Sequence, residues 1–401
     1  MSSGTVRDDA FHHRDRCAIS GIGWTDFSRD SGRSELTLAS QASLAAIADA
    51  GLTPQDIDGI VRCDMDLVWP NDLVEALGMT RLDYFGSAGP GGVGPCGQVA
   101  QAMAAVIAGL ATNVLVYRAL NGRSGRRFGL SPVTSTRVGG NNTFDEYFLP
   151  YGLLTPGQIF ALIAQRHMLE YGTTEKDLGA IAVACRNRAN ENLRAQMHER
   201  QLSMDDYLAA RMISRPLRLF DFCLETDGAA ALVVTSTERA KDGPNPPALI
   251  RAAAQGTLPS PQPGIQFPVV LRDDITTLPA KPTAETLYRR AGLGPSDIDV
   301  AQLYDCFTIT VLLQLENYGF CAKGEGGAFA SSGAIELDGS LPINTGGGHL
   351  SEGYIHGMNH IVEGVRQIRG TSTAQVDGAE TCLVTNTPLP PGSALILRRD
   401  S

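Results

Sequence analysis

The sequence lacks several things that would send it to a particular class. It has no run of about 18 uninterrupted apolar residues, so no membrane-spanning helix is expected. Its first residues, MSSGTVRDDAFHHRDR, hold no apolar core, and no secretory leader is expected. The eight cysteines are scattered and none forms a C-x-x-C pair, which argues against a structural zinc site. They read as reduced, mostly buried thiols in a cytoplasmic protein. Positive charge is also short, with 33 Lys and Arg against 43 Asp and Glu. A net charge of −10 argues against nucleic acid as the main partner. What remains is an ordinary globular composition, 43% hydrophobic and 19% charged over 401 residues. That length suits two domains or one duplicated one.

What is present is a repeat. Residues 50–58 read AGLTPQDID and residues 291–299 read AGLGPSDID. Each follows a helix-like apolar stretch and precedes a strand-like run, 59–63 and 300–304. Leu-x-Pro-x-Asp-Ile-Asp serves as helix stop, turn and strand start. Downstream, Gly91-Gly92-Val93-Gly94 precedes an apolar helix ending near Gly109, then a strand at 113–117. In the second copy Gly346-Gly347-Gly348 precedes a helix expected from Tyr354 to Arg369, then a strand at 380–384. Each half therefore reads helix, strand, glycine turn, buried helix, strand. Such alternation predicts a layered α/β fold, and two facing halves give five layers, αβαβα.

The halves comprise residues 1–120 with 175–255, and residues 256–401. A long insertion at 121–174 separates them, Gly-, Asn- and Arg-rich at its start. A helix is expected from Thr155 to Tyr171, with Pro156 in its first turn, and another over Glu175–Asn192. Excursions of this length usually carry function. A proline-rich loop at 255–282 reads as surface.

These residues resemble the thiolase superfamily, in the lipid-transfer-protein branch related to the sterol-carrier-protein thiolases. The carriers are RCAISGIGWTDF, YGLLTPGQIFALIAQRHMLEYGTT, LYDCFT and NTGGGHLSEGYIHGMNHIVEGVRQIRG, so the resemblance spans nearly the whole chain. It implies the thiolase-like sandwich. The departures from the family are more telling. The slot of the thiolase nucleophilic cysteine falls near Gly92 or Val93, and Cys96 lies one helical turn further on. The thiolase Gly-His-Pro is matched by Gly353-Tyr354-Ile355. The His-Asp-Cys-Phe of the related branch is matched by Tyr304-Asp305-Cys306-Phe307. The C-terminal catalytic cysteine has no counterpart in CLVTNTPLPPG, where Cys382 lies on the preceding strand.

Two histidines are thus replaced by tyrosines, and both cysteines are missing. This pattern resembles the steroid side-chain-cleaving aldolases of the branch. The resemblance implies a retro-aldol cleavage of a β-hydroxy acyl-CoA to a ketone and a short acyl-CoA such as propionyl-CoA. CoA enters as part of the substrate and no other cofactor is implied. It also implies a homodimer bound to a smaller partner with an OB fold and a zinc ribbon, as an α2β2 heterotetramer.

A retro-aldol needs no protein nucleophile; it needs a base, an acid and stabilisation of an enolate. Tyr304 and Tyr354 are the expected acid/base pair, with Tyr354 placed at a helix start whose dipole favours an anion. Gly347 and Gly348 are expected oxyanion donors, and His349, in the same loop, is expected with them at the oxyanion or substrate-binding site. Arg123, Arg126 and Arg127 could grip CoA phosphates or a partner. Asp305, next to Tyr304, is expected to face away and give support. His356 and His360, spaced i, i+4, are expected on the polar side of the helix with Glu363 and Gln367, and no metal site is expected. Two competing functions remain: a thiolase-like acyltransferase using Cys96, and a non-catalytic lipid or acyl-CoA carrier.

Overall fold

In the computed structural model, residues 13–125, 127, 149–259 and 267–400 are described. The first half supplies β1 (Cys17–Trp24), β2 (Gly59–Cys63), β3 (Tyr84–Ala88) and β4 (Val114–Asn121). A separate ribbon pairs β5 (Met212–Ser214) with β6 (Leu217–Arg218). Then follow β7 (Asp227–Ser236), β8 (Ala248–Gly256), β9 (Val300–Gln302), β10 (Thr381–Asn386) and β11 (Gly392–Arg399). The main sheet has nine strands in the order β3-β2-β4-β7-β1-β8-β11-β10-β9. It divides at β1–β8, where only Ala18–Leu249 and Ile19–Ala248 pair.

The repeat does the same local work twice. Pro54–Asp56 and Pro295–Asp297 each form a short 3-10 turn. Asp56 accepts from Thr53 N at 2.8 Å, and Asp297 from Gly294 N at 2.7 Å, closing the turn. Two residues on, Asp58 accepts from Thr112 N (2.8 Å) and Asn113 N (2.9 Å), just before β4. Asp299 likewise accepts from Glu380 N (2.9 Å) and Thr381 N (2.8 Å), at the start of β10. Each carboxylate thus ties up two backbone amides at a strand start, and the repeated aspartates mark where the next strand begins. One element is unequal. β2 pairs in parallel with both β3 and β4, whereas β9 pairs with β10 and, on its other side, makes a single bridge from Ala301 to Ile343.

Side chains alternate between the faces of each strand. In β4, Leu115 and Tyr117 meet Leu38, Ala42 and Ile47 of helix Glu35–Asp49 on one outer face. Val114 and Val116 face inward, onto Val99 and Ala102 of helix Pro95–Ile107. The same inner core holds Ile361 and Val365 of helix Met358–Arg369, with Val384 and Leu397 of the second half. On the far side, Leu383 and Ile396 pack on Leu287 and Leu312 of the outer helices. The order helix, sheet, paired helices, sheet, helix is the five-layer sandwich expected. Magnitudes say what joins the halves. Fully burying one aliphatic side chain is worth about 1.5–3 kcal/mol, and a backbone hydrogen bond about 1 kcal/mol net. The inner helices therefore outweigh the β1–β8 seam.

Two local expectations need correction. The strand after the second repeat is Val300–Gln302, so Tyr304 and Asp305 lie beyond its end. The second buried helix begins at Met358, not Tyr354. His356 (φ 52°) and Gly357 (φ 89°) are left-handed, which a right-handed helix cannot include. A separate turn, Gly348–Ser351, precedes them. Helix Pro156–Tyr171 starts with proline as expected. Helix Glu175–Glu191, which the repeat groups with the first half, packs on the second-half helices Thr308–Asn317, Gly326–Ser331 and Gly348–Ser351. Arg126 and residues 128–148 of the insertion lie outside the described residues.

Candidate active site

Tyr304 leaves β9 under tight control of its backbone. Its N–H donates to Thr385 Oγ1 at 2.9 Å, and its carbonyl accepts from Gln314 Nε2 (2.8 Å) and Thr310 Oγ1 (2.9 Å). Tyr354 lies in the connector before helix Met358–Arg369, and its N–H donates to Thr226 Oγ1 at 2.8 Å. The two phenolic oxygens are 2.8 Å apart, a direct hydrogen bond. Tyr304 is buried and Tyr354 partly so.

Facing this pair from the first half is Gly92. A Cβ added there would lie 1.8 Å from the Tyr304 hydroxyl oxygen. The position the resemblance gives to a nucleophile is therefore filled by a phenol from the other half. Asn386 Nδ2 holds Gly92 in place, donating to its carbonyl at 2.8 Å. Cys96 is no substitute. It is fully buried, its Sγ lies 3.5 Å from Val384 O, and burial pushes its thiol well above the ordinary range. Cys382 is buried on β10, with its thiol pushed up in the same way.

Beneath the tyrosines sits Asp305. It accepts from His349 N (2.8 Å), Leu350 N (3.2 Å) and His360 Nε2 (2.9 Å). Burial raises its carboxyl, but the His349 side, His360 and the backbone donor outweigh this and hold it below the usual carboxylate range. Gly348 is needed here, since a Cβ on it would approach Asp305 Oδ2 to 2.2 Å. The amides of the loop serve the protein itself: Gly347 N donates to Asn344 O at 2.8 Å, and His349 N to Asp305. The expected oxyanion role of Gly347 thus meets an N–H already engaged.

The His349 ring is fully buried and lies edge-on to Tyr304 (4.6 Å), Tyr354 (4.9 Å) and His360 (4.1 Å), measured between centroids. Its Nδ1 is 3.1 Å from Asp305 Oδ1, yet neither ring nitrogen has a well-directed hydrogen bond. Burial, then the nearby His360, push its protonation well below the ordinary range, against the pull of Asp305. Asp305, His349 and His360 offer ligand atoms within 4.8 Å of one another. Within this cluster His360 Nε2 and Asp305 Oδ1 are 2.9 Å apart, a hydrogen bond that the carboxylate accepts.

The polar helix face expected from His356, His360, Glu363 and Gln367 is not solvated; all four are buried. His356 precedes the helix and accepts at Nδ1 from Arg118 Nε (3.1 Å) and Nη2 (3.0 Å). Arg118 is a buried cation paired with Asp66. Sequence reading missed it, although one charge at an inward register of VLVYRALN was its signal. Of the basic cluster, Arg123 and Arg127 both pair with Glu225, at 3.8 and 2.5 Å.

Burial pushes both phenols well above their ordinary range. After burial, the neighbouring Tyr354, Cys306 and Cys223 raise Tyr304 further, with no opposing group. Tyr354 is raised by burial and by Cys223 and Cys306, while the hydrogen bond from Tyr304 and the charge of Arg118 pull it back.

The chain matches the model of the thiolase C-terminal domain-like family over residues 268–394. It is 47% identical to a steroid side-chain-cleaving aldolase of Thermomonospora curvata, over 96% of this chain and 98% of that one. It is 46% identical to a 17-hydroxy-3-oxo-4-pregnene-20-carboxyl-CoA lyase of Mycobacterium tuberculosis, over 95% and 99%. The solved structure of an Ltp2-ChsH2(DUF35) aldolase superposes with a TM-score of 0.90 at 46% identity, covering 96% and 98%. With the sandwich, the paired buried helices and near full-length identity in agreement, the chain belongs to the thiolase-like superfamily, in the sterol-carrier-protein-thiolase branch that includes the steroid side-chain-cleaving aldolases.

Proposed function

We propose that this chain is a retro-aldolase that cleaves the side chain of a β-hydroxy acyl-CoA, a steroid derivative, using Tyr304 and Tyr354 as its acid/base pair. One observation carries the reading: the phenols touch at 2.8 Å against Gly92, where a thiol has no room. Tyr354, as a phenolate that the hydrogen bond from Tyr304 and the charge of Arg118 support against the upward push of burial, takes the proton of the β-hydroxyl. The oxygen's electron pair becomes the ketone C=O, the Cα–Cβ bond breaks, and its electrons form the thioester enolate. Tyr304 gives its proton to the enolate carbon, releasing a short acyl-CoA such as propionyl-CoA. The proton on Tyr354 then passes to Tyr304 along their hydrogen bond, which restores the pair. A partner of the DUF35 kind fits this reading, since the similar solved structure is named with one. A homodimer fits it too. β3 is a sheet edge and exposes Phe85 (72%), while Leu67 (75%) and Trp69 (57%) are exposed after β2.

The test is to purify the chain with its DUF35-type partner and assay ketone and acyl-CoA release without free CoA. Tyr304→Phe and Tyr354→Phe should each lose on the order of 10²–10⁴ in kcat. Near-normal turnover in either removes that tyrosine from the mechanism. Turnover that depends on free CoA and stops on alkylation of Cys96 would instead favour an acyltransferase. Binding of the thioester without turnover, partner present, would favour a carrier.

A further inference from the structure

Strand β4 places Val114, Val116 and Leu120 in the inner core, and between them, in the same register, Arg118. A buried guanidinium is costly unless its donors are satisfied. Here Nη1 donates to Asp66 and to Ala119 O (2.8 Å), while Nε and Nη2 converge on His356 Nδ1. Asp66 is held in turn by the amides of Ala119 (3.2 Å) and Cys63 (3.1 Å).

Two N–H groups aimed at one ring nitrogen define the state of that ring. Arginine has no acceptor and does not deprotonate, so His356 Nδ1 must present its lone pair. The proton of the neutral imidazole is then on Nε2. Burial and the Arg118 charge, with His349, keep the ring from protonating further. The backbone adds a second observation. His356 has φ 52°, a left-handed conformation that a non-glycine residue adopts only when its surroundings hold it there. Asn386 Nδ2 holds its carbonyl at 3.2 Å, and that same amide nitrogen positions Gly92. The imidazole stands 5.1 Å from the Tyr354 ring, nearly perpendicular at 79°.

We infer that His356 is a positioned neutral hydrogen-bond donor beside the tyrosine pair, and that Arg118, anchored by Asp66, is the positioning residue that fixes its Nε2–H tautomer. The inference rests on the retro-aldol reading, in which negative charge appears first on a phenol and then on an enolate. A neutral donor stabilises such charge without competing for the proton in transit. Among the groups against the imidazole are Arg118 from the first half, with Asp66 behind it, and His349 and Tyr354 from the second. Tyr304, Cys223 and Cys306 complete the titratable set around Tyr354.

The test uses the full chain labelled with 15N-histidine, the His356 signal being identified by its loss in His356→Gln. One neutral Nε2–H species is expected, unchanged between pH ~5 and 8, the interval in which an ordinary histidine titrates. Arg118→Met should release the ring, which then titrates or mixes tautomers, and kcat with the partner present should fall about 10²-fold with KM little changed. Because Arg118→Met leaves Asp66 buried without its cation, Arg118→Lys and His356→Gln are measured alongside. Lysine keeps the charge but not the two-point grip, and should give an intermediate kcat. An Nδ1–H or titrating His356 in the unmodified protein overturns the inference. So do folded Arg118→Lys and His356→Gln proteins with unchanged kcat while Tyr354→Phe is inactive, an outcome that leaves the tyrosine reading standing. Active tyrosine variants would overturn that reading, and with it the catalytic purpose given to His356, even where the spectrum shows the expected tautomer.

Discussion

In the first half the chain turns at Gly91 and Gly92 and enters its buried helix directly at Pro95. In the second half it turns at Gly347 and Gly348, makes a helical turn to Ser351, and runs through Tyr354, His356 and Gly357 before its helix starts at Met358. The first copy brings bare backbone to the centre of the molecule. The second, with the segment after β9, brings side chains: Tyr304, His349, Tyr354 and His356. The difference teaches that the duplicated plan has specialised. On the proposed retro-aldol reading one copy serves as a wall and the other carries the chemistry, and the wall leaves room for the Tyr304 hydroxyl because Gly92 has no side chain.

The sharpest way to break that comparison is to give the wall a side chain. Gly92→Ala should displace the Tyr304 hydroxyl, since the new Cβ would sit 1.8 Å from it. Turnover should fall on the order of 10²–10⁴, as if Tyr304 had been removed. A steady-state assay beside a melting curve checks this, and a folded, fully active variant would mean that the contact is unimportant.

Next in size is the support under the second copy. Asp305→Asn removes the charge that accepts from His349 N, Leu350 N and His360. Stability should drop by about 1.5–3 kcal/mol, the worth of hydrogen bonds to a buried charge. Denaturant unfolding would measure it, while the counterpart in the first half, Asp64, accepts from one turn amide, Gly91 N at 3.1 Å, and has less to lose.

The last test concerns pH. Glu352, buried in the second-copy loop, is raised by burial from 4.5 to about 8, against the pull of Asn359. A raised acid holds its proton in the folded state. Its stabilising contribution is fully present below pH 4.5, shrinks as pH rises, and is gone above about 8. Glu352→Gln should therefore flatten the fall of melting temperature across that window. An unchanged slope would show that the carboxyl is already ionised in the fold.

Much of this was legible in the sequence where local chemistry decides. The AGL…DID repeat could be read because Asp58 and Asp299 each perform a short-range task that depends on the turn beside them. The tyrosines could be placed because they stand at matched motif positions. The start of the second helix could not. The left-handed backbone at His356 is held by Arg118 and Asn386, residues far away in the chain, and helical periodicity continues through it undisturbed. The burial of His360, Glu363 and Gln367 was hidden for the same reason: their partners, Asp305, Thr345 and the Ala374 carbonyl, arrive from other segments. Likewise the packing of helix Glu175–Glu191 on the second half follows from tertiary contacts, not from the repeat.

The unequal element of the duplication has its own consequence. At one end of the sheet, β3 is a complete strand with an outer edge; at the other, β9 is covered by the segment through Leu341, Pro342 and Ile343, with Ala301 N donating to Pro342 O at 3.0 Å. Proline offers no N–H, and Leu341 and Ile343 are buried. Among the described residues the molecule therefore has one edge without a strand partner and one that is shut. If the proposed homodimer joins copies edge to edge through β3, neither copy has a second edge to offer, and growth of that kind would stop at a closed pair instead of running on into a fibre.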